Sequence, residues 1–151
     1  MPRFRVFPRY RKIKRPQQLE FPLIVKSLIE EGSYGIAQAS LVNNDKAFEE
    51  RVSFIHDKIR TDAVVEQYIP GRELYVSVLG NHRLQVLPTW EIFLDKLPED
   101  APKIATRKVK WDRNYQLKHD IRIRRAHGLD AKDEQRIATL ARRICRNLSL
   151  D

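Results

Sequence analysis

Val64-Val65-Glu66-Gln67-Tyr68-Ile69-Pro70-Gly71-Arg72-Glu73-Leu74-Tyr75-Val76-Ser77-Val78-Leu79-Gly80 is the stretch that decides how this chain reads. Two β-branched, apolar runs flank a Pro-Gly pair and carry two acids seven residues apart, Glu66 and Glu73. Such runs predict strands over Ala63 to Ile69 and Glu73 to Leu79. Between them Ile69-Pro70-Gly71-Arg72 fits a type II turn, in which proline presets the first central φ and glycine supplies a positive φ at the second. Gly80-Asn81 then turns the chain into a further strand, Arg83 to Trp90, so an antiparallel meander is expected.

Upstream, Phe21-Pro22-Leu23-Ile24-Val25-Lys26 reads as a short buried strand with its proline near the start. Lys26 ends it. A half-buried ammonium is costly without a partner, so a counter-charge is expected beside it. Ser27 to Gly35 forms a loop, Glu31-Gly32-Ser33-Tyr34-Gly35 at its tip, and Ile36 to Val42 returns as a second strand. Glycines let backbone amides approach an anion closely, and consecutive amides make an anion-binding concavity. Asn43-Asn44-Asp45 can cap a helix from Lys46 to Arg60, where Phe48, Val52, Ile55 and Ile59 recur at helical spacing.

Downstream, Leu94 to Pro102 is a proline-punctuated loop and Lys103 to Trp111 is expected as an edge strand. Asp112 to Gly128 is polar and poorly patterned, which predicts mobility. Asp130 opens a last helix whose apolar face is Ile137, Leu140, Ala141, Ile144 and Leu148.

The 151 residues, 42% apolar, suffice for one compact domain with a core of its own. No apolar run reaches the roughly 18 residues that a membrane helix needs, and the N-terminus is charged where a signal peptide is apolar. A soluble, cytoplasmic protein that does not engage membranes is expected. Cys145 has no second cysteine to pair with and reads as a half-buried packing residue. His56, His82, His119 and His127 lack metal-ligand spacing, so no metal set is expected. Lys and Arg number 29 against 20 Asp and Glu, a net charge of +9. Residues 1 to 19 hold seven cations and no acid. They read as a solvated basic arm, 1–20, that could attract nucleic acid or steer an anionic small molecule. No nucleic-acid motif accompanies the charge, which makes nucleic acid an unlikely partner.

Taken together, the strand ending in Lys26, the glycine loop within nine residues of it, and Glu66 to Glu73 around Pro-Gly resemble the ATP-grasp superfamily, in its D-alanine:D-alanine ligase-like branch. The resemblance runs from about Phe21 to Asp151. It implies an α+β fold, the ATP-grasp nucleotide-binding portion with antiparallel sheet packed by helices, so that 21–151 is a partial ATP-grasp domain. It also implies ATP as the bound nucleotide, with Lys26 and the loop Gly32, Ser33, Tyr34 and Gly35 at its phosphates. Glu66 and the backbone of Gln67, Tyr68 and Ile69 would then read the adenine, and Glu73 the ribose hydroxyls. Carboxylate to diol is a sound pairing, since ionised acceptors bind more strongly than neutral ones.

Arg107-Lys108-Val109-Lys110-Trp111 resembles the family's closing loop, which makes Lys110 the catalytic candidate for screening charge that spreads over phosphate oxygens during transfer. Glu91 stands where relatives also carry an acid. The complete enzymes activate a carboxylate as an acyl phosphate for attack by an amine. They use magnesium held by an acidic-x-Asn-Pro segment beyond a final helix. This chain reaches Asp151 before such a segment, so turnover by the chain alone is not expected; a missing lobe or self-association would complete it. A basic nucleic-acid-binding or non-catalytic module with a vestigial family match is the alternative.

Overall fold

The computed structural model describes residues 2–150, which form two compact units. The first holds the described residues up to Pro70 with Leu94–Asp120; the second holds Gly71–Phe93 with the described residues from Ile121 on.

The first unit is built on a four-stranded antiparallel sheet, β1 (Phe4–Phe7), β2 (Leu23–Ser27), β3 (Leu41–Val42) and β4 (Ala63–Gln67), in the order β1-β4-β2-β3. Because side chains alternate across a strand, Leu23 and Val25 of β2 and Ala63 and Val65 of β4 share one face. Helix α1 (Asp45–Phe54) covers that face with Phe48 and Val52, and a π-helical extension, Ile55–Ile59, adds Ile55. Phe48 is 0% exposed and meets the Phe7 ring edge to face at 5.2 Å. The Asn44 side chain accepts from the Ala47 amide, capping α1 as its position foretells.

Three expectations for this unit change. The basic N-terminal stretch is not simply a solvated arm: Phe4–Phe7 pairs with β4 along its length, and Phe7 and Leu19 are buried in the core. The arginines alternate with apolar residues that the charge pattern hides. The strand expected over Ile36 to Val42 shrinks to Leu41–Val42 behind a 3-10 turn, Gln38–Ser40, in which the Ser40 hydroxyl accepts from the Ala37 amide. Lys103 to Trp111 is no edge strand. Its second half is helix α2 (Arg107–Trp111), capped by the Thr106 hydroxyl, with Val109 buried.

The polar stretch after Trp111 takes up regular structure. Asp112 caps helix α3 (Arg113–Lys118) through a 3.0 Å bond from the Tyr115 amide, and Lys96 pairs with Asp120 at 2.9 Å.

The second unit holds a three-stranded antiparallel sheet, β5 (Glu73–Tyr75), β8 (Trp90–Phe93) and β9 (Arg122–Arg125), in the order β5-β8-β9. A separate pair is β6 (Val78–Leu79) with β7 (Gln85–Val86). The single meander predicted from Ala63 to Trp90 is therefore corrected. Both edges of β4 are taken by β1 and β2, and Gly71, at φ +142°, bends the chain away instead of closing a hairpin. The expected strands Glu73 to Leu79 and Arg83 to Trp90 each break in two. Gly80 sits at φ +95°, where a Cβ would come within 2.5 Å of the Arg83 carbonyl oxygen, so this hairpin tip requires glycine. Helix α4 (Ala131–Leu148), capped by Asp130, packs on β6 and β7. Its apolar stripe, with Leu74, Val78 and Leu79, lines a cavity of about 690 Å³ that also takes in the half-buried Cys145.

No helix of the described residues is long and apolar enough to cross a membrane. The fold is α+β, antiparallel sheets packed with helices.

Candidate functional site

On the face of the first sheet opposite α1, β2 presents Ile24 and Lys26, and β4 presents Val64 and Glu66. Lys26 lies opposite Val64 and Glu66 opposite Ile24, which makes the two charged residues diagonal neighbours. Their side chains form an ion pair, with Lys26 Nζ donating to Glu66 Oε1. Lys26 therefore meets the counter-charge that its position calls for. The pair is half-buried on an otherwise apolar strand face, so it is only partly screened by solvent.

Past Glu66 the backbone amides divide. The Gln67 amide donates to the Arg3 carbonyl at 2.9 Å and the Tyr68 amide to the Pro22 carbonyl at 3.0 Å. Among the described residues the Ile69 amide has no acceptor, and the Ile69 side chain is exposed. The segment thus offers one outward donor beside an apolar side chain, an arrangement that suits the edge of a flat heterocycle.

The glycine loop is held from the other side. Gly32, Ser33 and Gly35 all have positive φ, and the Tyr34 and Ile36 amides close tight turns onto Glu31 and Ser33. The Ser33 hydroxyl is buried and donates to the Ala105 carbonyl at 2.7 Å, so it serves the loop's anchoring rather than a ligand. Trp111 Nε1 donates to the Gly32 carbonyl at 2.7 Å, and the Arg107 amide donates to the Ile36 carbonyl. Loop and α2 are one fastened unit, which brings the Gly32 to Gly35 loop beside the helix that carries Lys110. Lys110 itself is half-buried in α2.

In the second unit, Glu73 Oε1 accepts from the Tyr75 hydroxyl at 2.8 Å. Burial, then this bond and the Glu73 charge, push the Tyr75 phenol well above its ordinary value. It stays protonated and fixes the Glu73 carboxylate, leaving the second oxygen to accept from another donor. Tyr75 was not singled out from sequence, although residues two apart on a strand share a face. Glu91, 5% exposed, is held by Arg72 through two bonds of 2.8 and 2.5 Å, while Arg72 also donates to the His127 carbonyl. The Arg72 bonds hold the Glu91 carboxyl below its ordinary value against desolvation, which raises it; the charges of Arg72 and His127 add to the lowering.

A depressed carboxylate contributes stability that is complete above its unfolded value and is lost as pH falls through the folded one. The second unit is expected to weaken as pH drops below about 4.5, the ordinary value, and Glu91→Gln is expected to lower the melting temperature at neutral pH while flattening that acid dependence. Thermal melts between neutral pH and the acid limit check this; an equally steep acid loss in the variant would assign it to other groups.

Among the described residues no group of three or more His, Cys, Asp or Glu could hold a metal ion. His56 instead bonds the Phe7 carbonyl through Nε2 at 2.9 Å.

The model of the D-ala D-ala ligase C-terminus matches residues 7–151. The chain belongs to this family, within the ATP-grasp superfamily. An uncharacterized protein of Sinorhizobium fredii is 34% identical over 126 residues, 83% of this chain and 33% of that protein. The D-alanine--D-alanine ligase of Pseudomonas putida is 30% identical over 141 residues, 89% of this chain and 36% of that protein. The crystal structure of VanG D-Ala:D-Ser ligase from Enterococcus faecalis superposes with a TM-score of 0.63 at 22% identity, over 96% of this chain and 39% of that one. The chain thus spans about a third of the length of these curated relatives.

Proposed function

We propose that the chain is the ATP-holding portion of a cytoplasmic carboxylate–amine ligase. The observation that carries this is the Lys26–Glu66 pair on the open sheet face, followed directly by the Ile69 amide as a free donor. In this reading Lys26 meets the phosphates, Gln67 to Ile69 the adenine edge and Glu73 the ribose. The glycine loop, tied to α2, brings backbone amides toward the phosphates, and Lys110 screens charge during transfer.

The reaction proposed has two steps. A carboxylate oxygen attacks the γ-phosphorus, the bond to the β-phosphate oxygen breaks, and ADP leaves an acyl phosphate. An amine then attacks the acyl carbon, inorganic phosphate departs, and an amide forms with loss of the amine's proton. The relatives' names, D-alanine--D-alanine and D-Ala:D-Ser ligase, support an amino-acid carboxylate as the acid. Magnesium belongs to the family's chemistry, where it would neutralise charge on the phosphates.

Amide NMR separates the two ends of the nucleotide. Adenosine is expected to shift the Gln67, Tyr68, Ile69 and Glu73 signals, and ATP to add shifts at Lys26 and Gly32 to Gly35. Adenosine shifts scattered over the chain, with none at Ile69, would sink the proposal.

A further inference from the structure

A cavity of about 520 Å³ opens in the first unit, among the Tyr34 to Ala39 segment, the end of α1 and the start of α2. Three cations line it, each over an aromatic ring that lines it too: Arg51 over Phe54 at 4.3 Å, Arg107 over Tyr34 at 5.3 Å and Lys108 over Tyr115 at 6.0 Å. No Asp or Glu lines it, and among the described residues none of the three cations is in an ion pair. Arg107 and Lys108 are exposed, but Arg51 is buried without an acidic partner, and buried charges are ordinarily paired.

Arg51 is the decisive group. It is 8% exposed, donates through Nη2 to the Gly35 carbonyl, and has a buried Nε with no acceptor. Burial lowers its pKa, yet a guanidinium starts so high that it stays charged. In the same wall the Gln38 side-chain amide is buried with both its oxygen and its nitrogen unpartnered. Buried polar atoms are nearly always bonded, and the unpartnered Arg51 Nε and Gln38 amide atoms belong to residues that line the cavity, so a ligand there has donors close at hand.

We propose that this cavity binds a small organic oxyanion, a carboxylate or phosphate group on an apolar or aromatic body. Arg51 supplies the central charge, Arg107 and Lys108 flank the entrance, and Phe54, Ile59 and Tyr34 take the body. Volume and lining both suit such a ligand, since small-molecule sites are mostly apolar pockets with a few convergent polar groups. The site goes beyond the nucleotide reading: it shares Tyr34 and Gly35 with the loop assigned to ATP, but its three cations are not those assigned there, which are Lys26 and Lys110.

The test is an amide NMR titration of the whole chain with benzoate, its neutral counterpart benzamide, and inorganic phosphate. Benzoate, phosphate or both are expected to give saturating shifts at Ile36 to Ala39 and Thr106 to Lys108. Benzamide is expected to bind about tenfold more weakly, as loss of a charge-assisted contact predicts. Arg51→Met removes the central charge and abolishes the response. Should that variant fail to fold, Arg107→Ser with Lys108→Ser, both at exposed positions, weakens binding several-fold in a folded chain. Saturation by benzoate but not phosphate assigns the carboxylate with its apolar body; equal saturation by phosphate assigns the oxyanion alone. Lys26→Met leaves the response unchanged, so failure of this site and failure of the nucleotide reading are separately visible. Equal binding of benzoate and benzamide, no shift with either anion, or an unchanged response in the double variant overturns the proposal.

Discussion

Phe48→Ala is expected to destabilise the four-stranded unit by about 3–5 kcal/mol, the usual cost of truncating a fully buried aromatic residue. The ring is wholly enclosed by the sheet face that carries Leu23, Val25 and Val65, and it meets the Phe7 ring edge to face. Truncation leaves a void that β1 to β4 cannot close without breaking their register. Against a total of roughly 5–15 kcal/mol for a typical domain, that loss takes a large share. Urea unfolding followed by circular dichroism measures it. Because Phe7 is the contact partner, the same experiment tests the place of the N-terminal strand: Phe7→Ala in the Phe48→Ala background is expected to cost less than Phe7→Ala alone. A loss below about 1 kcal/mol for Phe48→Ala would remove the ring from the core.

The second large effect is on binding. Lys26→Met keeps the apolar stem and removes the charge, and ATP affinity is expected to fall about ten- to a hundredfold, the worth of a charge-assisted contact. Stability should change little by comparison. Glu66 loses its partner but is 25% exposed, and water can reach it. A calorimetric titration read beside a thermal melt separates the two effects. Equal losses in both would make Lys26 a structural residue, and unchanged affinity would remove it from the nucleotide site.

Elements that carry their own punctuation were legible in the sequence. Helix α4 announces itself through Asp130 and the stripe Ile137, Leu140, Ala141 and Ile144, and α1 through Asn44 and the spacing of Phe48 and Val52. Strand β2 and its terminal lysine were legible for a similar reason, a β-branched run with a charge at its end. What stayed hidden depends on distant partners. Strand β9 is exposed throughout, with Arg122, Ile123, Arg124 and Arg125 giving no apolar alternation; it exists because β8 has a free edge. Strand β1 hid behind its arginines in the same way.

Helix α2 hid because Lys108, Val109, Lys110 and Trp111 alternate like a strand, and only the Thr106 cap argues for a helix. The break after β4 could not be read locally, since Pro70-Gly71 suits a hairpin turn equally well. In the candidate site, Lys26 stood out by its place at a strand end, whereas Glu66 and Glu73 were candidates only through the family resemblance. The anchoring of Ser33 on Ala105, the Tyr75 bond to Glu73 and the orphaned Arg51 and Gln38 groups arise from contacts between segments that no local pattern encodes.

Nucleotide binding is most directly tested by calorimetric titration of ATP into the whole folded chain, with Glu73→Ala as the paired control. Saturable heat from the native chain, weakened about tenfold or more when the Glu73 carboxylate is lost, is the predicted result. No heat from a chain shown to be folded, or identical binding by the control, would contradict an ATP-holding role for these residues. Steeply salt-dependent binding to duplex DNA in the same preparation would then favour the basic surface as the functional one.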